Sequence, residues 1–295
     1  MQNVVLIGGS GFLGSFLLQE LLKEDFFIYA VKNKSEIPLN QKIKIIKGGI
    51  KALDSDKLQK IKPEYIFHCA RPTLSRFKKL GRKVAALKAY SLNKNLLKQI
   101  KKSGVQTKLV FASGSLAYGN SKGKIDEQTP LKPISYSRDY IKGENPITKD
   151  KGNKNLTILT LRLPWMIGND SWFKWFYKNN LNESGQIPLF GSGNNIMSLI
   201  DAEDAAQLLL SYAKRAHHSR VYNVFSPFQL TQKAFVNQVQ QVMGGEIVDY
   251  NKIYPKLEKA ALEAFRSDIQ LSTNYPEILG DYSFTSIEET LEKLK

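Results

Sequence analysis

Cysteine and histidine are scarce in this chain: Cys69 is the single cysteine, and His68, His217 and His218 are the three histidines among 295 residues. One cysteine excludes an intramolecular disulfide framework, and so few soft ligands leave no set for a structural metal, so none is expected. Long hydrophobic runs are missing too. "VVLIGG" near the start is broken by glycine too soon for a signal peptide, and no run reaches the ~20 apolar residues that a bilayer crossing needs. No membrane partner is expected, and the cytoplasm is the default compartment. Arginine is the third shortage. Of 43 Lys+Arg only Arg71, Arg76, Arg82, Arg138, Arg162, Arg215, Arg220 and Arg266 are arginines. The net charge of +16 therefore rests on lysines scattered through tracts such as "KNKSE", "KKSG" and "KDKGNK", without the guanidinium forks that read bases bidentately. A general basic surface that favours anionic small molecules is expected, with no specific nucleic-acid partner.

What is present is alternation. "NVVLIGG" (3–9), "FFIYAVK" (26–32), "IKIIKGG" (43–49), "YIFHCA" (65–70), "KLVFASG" (108–114) and "LTILTLRL" (156–163) read as strands. Between them lie segments such as "GFLGSFLLQELLKE" and "KAYSLNKNLLKQIKKSG", apolar every three to four residues. Continuous apolar strands with helical crossovers predict an α/β fold, a doubly wound parallel sheet covered on both faces. After residue 164 the pattern loosens into aromatic- and glycine-rich sequence. "IMSLIDAEDAAQLLLSYAK" then reads as an apolar, helical stretch and "RVYNVF" as a strand. The remainder is mostly helical, with Ser286 as an N-cap three residues before Glu289. A dinucleotide-binding domain is expected over 1–164 plus about 196–224, and a smaller substrate lobe over 165–195 plus 225–295.

"LIGGSGFLGS" places Gly8, Gly11 and Gly14 as GxxGxxG between the first strand and the first helix. Such glycines allow a tight turn, close approach of backbone to pyrophosphate, and packing of helix on strand, while the helix N-terminus offers free N–H groups. The chain resembles the extended or atypical short-chain dehydrogenases/reductases, the group that includes the NAD(P)-dependent epimerases and dehydratases. The resemblance rests on this turn and on "PEYIFHCA" (63–70), "FASGSLAYG" (111–119), "DEQTPLKPISYS" (126–137), "LRLPWMIG" (161–168) and "IPLFGSGNNIMSLIDAEDAA" (187–206), in order over residues 1 to about 225. It implies a Rossmann-type fold, with a dinucleotide held by Gly8, Gly11, Phe12, Leu13 and Gly14. A homodimer through two helices of the nucleotide domain is also implied.

At the end of the second strand, where an aspartate would bind the ribose 2′-OH of NAD, stand Lys32 and Lys34. An ammonium attracts a 2′-phosphate, so NADP is preferred over NAD. Gly49 stands where the family usually has an aspartate, leaving the Ile50 N–H for the adenine. Cys69, Ala70 and Arg71 are implied to line the cofactor after the fourth strand. Arg71, where small residues are usual, has the length to reach a phosphate.

The resemblance makes Tyr136 in "PISYSRDYIKGE" (133–144) the acid/base tyrosine, which exchanges a proton while the cofactor exchanges a hydride. A free phenol near pKa 10 is ionised to about one part in a thousand at pH 7, and the family's lysine one helical turn on helps to lower that value. Here Tyr140 holds the lysine's place, with Glu144 one turn further; Lys142 is six residues after Tyr136 and roughly 120° off their common face. Loss of the lysine corresponds to roughly 3 to 4 kcal/mol, a few hundredfold in tyrosinate, unless another cation such as Arg71 or Arg138 serves. Gly114 occupies the family's Ser/Thr position, flanked by Ser113 and Ser115.

In the lobe, Met197 lies where nucleotide-sugar enzymes of the family carry an arginine. The aromatic run Trp172, Phe173, Trp175, Phe176 and Tyr177 reads as lobe core, with a stacking pocket as the other reading. Three functional readings remain. The first is an NADP-dependent oxidoreductase or epimerase-type enzyme acting on a small molecule through Tyr136. The second is a catalytically inert dinucleotide sensor, and the third an RNA-associated protein.

Overall fold

The computed structural model describes all residues except 33, 34, 39 and 73–77. The chain runs β1 (Gln2–Ile7), α1 (Phe12–Lys23), β2 (Phe26–Lys32), β3 (Ile43–Lys47), α2 (Ser55–Ile61), β4 (Tyr65–His68), α3 (Lys78–Ser103), β5 (Thr107–Gly114), β6 (Lys124–Ile125), α4 (Ser135–Thr148) and β7 (Leu156–Leu163). It continues through β8 (Trp165–Ile167), α5 (Asn179–Ser184), β9 (Gln186–Leu189), β10 (Ile196–Asp201), α6 (Ala202–Arg215), β11 (Arg220–Asn223), β12 (Gln229–Thr231), α7 (Gln232–Met243) and β13 (Glu246–Asp249). Last come α8 (Tyr250–Ile253), α9 (Lys259–Phe265), β14 (Gln270–Leu271), α10 (Pro276–Leu279) and α11 (Ile287–Glu292).

Seven strands form one parallel sheet in the order β11-β7-β5-β4-β1-β2-β3. The chain winds outward from β1 in both directions, so the carboxyl ends of β1 and β4 bound the crevice where such sheets take ligands. Alternate residues of each strand serve opposite faces. Val4 and Leu6 pack with Leu17, Leu21, Leu208 and Leu209 of α1 and α6, whereas Val5 and Ile7 pack with Leu58, Leu96 and Ile100 of α2 and α3. Both faces are therefore dry, which is why these strands read as unbroken apolar runs.

The expected helical stretch 196–214 divides at Asp201. Residues 196–201 form β10, paired with β8 and β12. Asp201 is extended, and its side chain accepts from the Glu203 and Asp204 amides as the N-cap of α6. Buried strand and buried helix look alike in apolar sequence; the capping aspartate marks the change. Short strands also pair outside the main sheet, β9 with β13 and β14 with β6, so residues 165–195 and 225–295 are less uniformly helical than their sequence reads. Ser286 and Glu289 form the expected capping box on α11.

The third core is aromatic. Phe173, Tyr177, Phe190 and Phe235 are wholly buried; Phe190 stacks on Phe265 at 4.0 Å and Phe173 on Tyr177 at 5.6 Å. Trp172 and Phe176 join this cluster, so the packing reading of the run holds for four of its five members. Trp175 points outward, with the Lys174 ammonium 5.5 Å from its ring centre. Trp175, Phe176 and Tyr177 sit on a single π-helical turn, Lys174–Lys178.

Candidate active site

The glycine turn is fixed by sterics. A Cβ on Gly14 would stand 1.9 Å from the Gly8 carbonyl oxygen, and one on Gly8, where φ is +94°, would stand 2.7 Å from the Ala70 nitrogen. The first contact sets α1 against the turn and the second sets the turn against the segment after β4. Gly8, Gly11, Phe12, Leu13 and Gly14 are thus gathered beside Cys69, Ala70 and Arg71. The α1 N-terminus has no side-chain cap and no acidic residue in its first turn. Its amides and dipole face the crevice mouth uncompensated, which fits a pyrophosphate.

At the carboxyl end of β2, the Gly49 amide donates to the Lys32 carbonyl at 3.0 Å, bringing Lys32 next to Ile50. Gly49 has φ 68° and ψ −162°, a conformation that is essentially closed to other residues. The backbone explains why no aspartate stands there. The Lys32 ammonium is ion-paired with Glu36, its side chain mostly buried and that of Glu36 exposed. Lys34 lies outside the described residues.

At the other end, α4 carries Tyr136, Tyr140 and Glu144 on one face. The two tyrosine rings lie 5.5 Å apart, tilted by 59°. Ser113 Oγ donates to the buried Glu144 Oε2 at 2.6 Å, tying the end of β5 to α4. Burial pushes the Glu144 carboxyl up, opposed by the Ser113 hydrogen bond and by the charges of Arg71 and Arg162. Ser115 is buried in the one-turn helix after β5, next to Leu116, whose carbonyl accepts from Ser137 Oγ at 2.7 Å. A Cβ on Gly114 would meet nothing within 4 Å, so there is open space at the position where the resemblance expects a Ser or Thr.

Two arginines flank the tyrosines. Arg71 places its guanidinium carbon 4.3 Å from the Tyr140 ring centre, and Arg82 of α3 places its own 6.0 Å from that of Tyr136. Burial first, then Tyr136, raise the Tyr140 phenol; Arg71 and Arg82 oppose them. Arg82 is clamped by both Glu258 oxygens at 2.7 and 3.0 Å, and Glu263 Oε2 accepts from the Ser135 amide at 3.0 Å. α9 and the residue that precedes it thereby tie down α3 at Arg82 and α4 at its first residue. Arg138, the other cation considered from sequence, is exposed on α4. Arg82 was not picked out. Its signal was there: Arg82, Ala86, Ala89 and Asn93 repeat at helical spacing along the α3 face that meets α4, where a Gly143 Cβ would stand 2.8 Å from that of Ala89.

Behind the tyrosines a buried chain crosses three elements. His68 Nε2 lies 3.0 Å from Asn93 Oδ1, and Asn93 Nδ2 donates to the Gly143 carbonyl at 2.9 Å. Burial lowers His68 from 6.5 to about 4, against the Asn93 hydrogen bond, and the ring stays neutral. Burial pushes the neighbouring Cys69 thiol up to about 12. Arg162 is also buried; its guanidinium lies 4.5 Å from the Tyr118 ring centre, and its Nε has no partner among the described residues.

A reversing parallel sheet, a glycine cradle at β1 and a tyrosine helix across the crevice define an NAD(P)-binding Rossmann protein of the short-chain dehydrogenase/reductase superfamily. The model of the NAD dependent epimerase/dehydratase family matches residues 4–224, and the chain belongs to that family. An uncharacterized UDP-glucose epimerase of Bacillus subtilis (strain 168), YtcB, is 26% identical over 236 residues, covering 73% of this chain and 73% of that protein. Among solved structures, the NAD-dependent NDP-hexosamine 5,6-dehydratase TunA of tunicamycin biosynthesis has a TM-score of 0.81 at 18% identity, covering 99% of this chain and 95% of that one. The human epimerase family protein SDR39U1 with NADPH has a TM-score of 0.77 at 16% identity, covering 99% and 98%. At these identities the structures speak for the fold.

Proposed function

We propose that the chain is an NAD(P)-dependent oxidoreductase or epimerase/dehydratase-type enzyme with an altered active site, acting on a small anionic molecule. The observation that carries this reading is Tyr136, set on α4 with Tyr140 and Glu144 in register, across the crevice from the glycine cradle. Bound in that cradle, a nicotinamide dinucleotide supplies or accepts a hydride. Gly8, Gly11, Phe12, Leu13 and Gly14 hold its pyrophosphate, with Cys69, Ala70 and Arg71 behind it and Ile50 at the adenine. Lys32 and Lys34 favour NADP, whose 2′-phosphate Lys32 would hold in place of Glu36; NAD is the alternative. Tyr136 gives or takes the substrate proton. Ser113 is committed to Glu144, which leaves Ser115 as the hydroxyl nearest the reacting oxygen. The names of the relatives make nucleoside diphosphate sugars the first substrates to try, although Met197, buried in β10, offers a diphosphate no charge.

A second copy of the chain is the proposed macromolecular partner. On α3, Leu80, Val84, Leu87 and Tyr90 are 62%, 47%, 72% and 45% exposed, an apolar stripe that a homodimer would cover. No helix among the described residues is long and apolar enough to cross a membrane; a cytoplasmic location is part of the proposal. The decisive experiment titrates NADPH and NADH by tryptophan fluorescence, then assays turnover on a sugar-nucleotide and carbonyl panel with wild type and Tyr136→Phe. Binding with turnover that Tyr136→Phe abolishes supports the enzyme. Tight binding without turnover on any member supports the sensor reading instead.

A further inference from the structure

We propose that Arg71, propped on the ring of Tyr140, is the cofactor clamp of this site and does the binding work of the absent lysine. The inference rests on the dinucleotide reading above and deepens it. Arg71 follows Ala70, whose backbone is in contact range of Gly8, so the arginine starts beside the phosphate turn. Its guanidinium ends 4.3 Å above Tyr140, one helical turn from Tyr136. The side chain therefore runs along the interval between the phosphate turn and Tyr136, where it would meet the nicotinamide-side ribose and phosphate of a dinucleotide held there. A guanidinium stacked by its face keeps its N–H edges free for hydroxyls and phosphate oxygens.

The surroundings leave this charge available. Arg82 is held by Glu258 through two hydrogen bonds, whereas Arg71 is exposed and makes no ion pair among the described residues. The carboxylate that feels its charge from α4, Glu144, is occupied by Ser113. The two departures at this end of the site explain each other. With an arginine at 71, a lysine at 140 would set two like charges a few ångströms apart in a half-buried crevice, which is unfavourable. A neutral ring at 140 removes that repulsion and gives the guanidinium a surface.

The test measures NADPH, NADH and AMP affinities, the last reporting only the adenosine half, with circular dichroism to confirm folding. Arg71→Ala is expected to weaken both dinucleotides by about tenfold or more, the loss of one charge-assisted contact, and to leave AMP unchanged. Tyr140→Leu, which removes the stacking surface, weakens the dinucleotides in the same direction, and Lys142→Ala, off the tyrosine face, has no effect. Adding Tyr140→Lys to Arg71→Ala restores dinucleotide affinity, whereas Tyr140→Lys in the presence of Arg71 lowers it. Packing alone does not produce that sign change. Unchanged dinucleotide affinity in Arg71→Ala, or no recovery in the double variant, overturns the clamp while leaving the proposed function standing. A wild-type protein that binds neither dinucleotide overturns both.

Discussion

The two ends of the crevice are built on different principles. At the glycine turn, position is enforced by contact: a single added carbon at Gly14 lands inside a backbone carbonyl. At the tyrosine end, position is set by a buried carboxyl, two arginines and a ring pair, with open space left at Gly114. A steric site tolerates almost no substitution. An electrostatic one can be redistributed over new residues while keeping its geometry.

Gly14→Val tests the steric end and carries the largest expected effect. It should cost more than about 4 kcal/mol in urea unfolding, because neither α1 nor the turn can retreat without opening the sheet core. Tyr136→Phe at the opposite end should leave stability nearly intact and lower turnover by about 10²- to 10⁴-fold, the range for a lost proton-transfer group. His68 comes next, through pH. Its folded value of about 4 lies below the ordinary 6.5, so below pH 6.5 the unfolded chain takes up a proton that the folded chain refuses. Stability is complete above pH 6.5 and falls as the pH drops towards 4, by at most about 3 kcal/mol, and His68→Gln should flatten that slope in urea midpoints. Arg82→Ala breaks a half-buried pair and should cost about 1 to 2 kcal/mol, less than a fully buried pair and more than a surface one. Gly114→Ser is the smallest. It restores a hydroxyl where space is waiting and should raise turnover by about tenfold with no loss of stability, the worth of one added hydrogen bond.

The sheet was legible because its signals are local. Six apolar runs bounded by glycine or polar residues coincide with β1, β2, β3, β4, β5 and β7 to within two residues. The glycine turn and the Ser286 capping box were legible for the same reason. Strand β10 was not, because Ile196–Asp201 is buried on both sides and shows no period that distinguishes it from the helix that follows. At the candidate site, the residues on α4 and after β4 could be named from the family resemblance of their motifs. The contacts of Arg82 with Glu258 and of Ser135 with Glu263 could not, since they join positions more than 120 residues apart. No local pattern encodes such a pair.

Those two contacts have an evolutionary consequence. Glu258 and Glu263 belong to the lobe segment around α9, yet they hold the residues that frame Tyr136. A change that reshapes the segment around α9 therefore also shifts Tyr136. On the proposed function, variants selected at residues 254–263 for a new substrate should therefore change kcat along with KM.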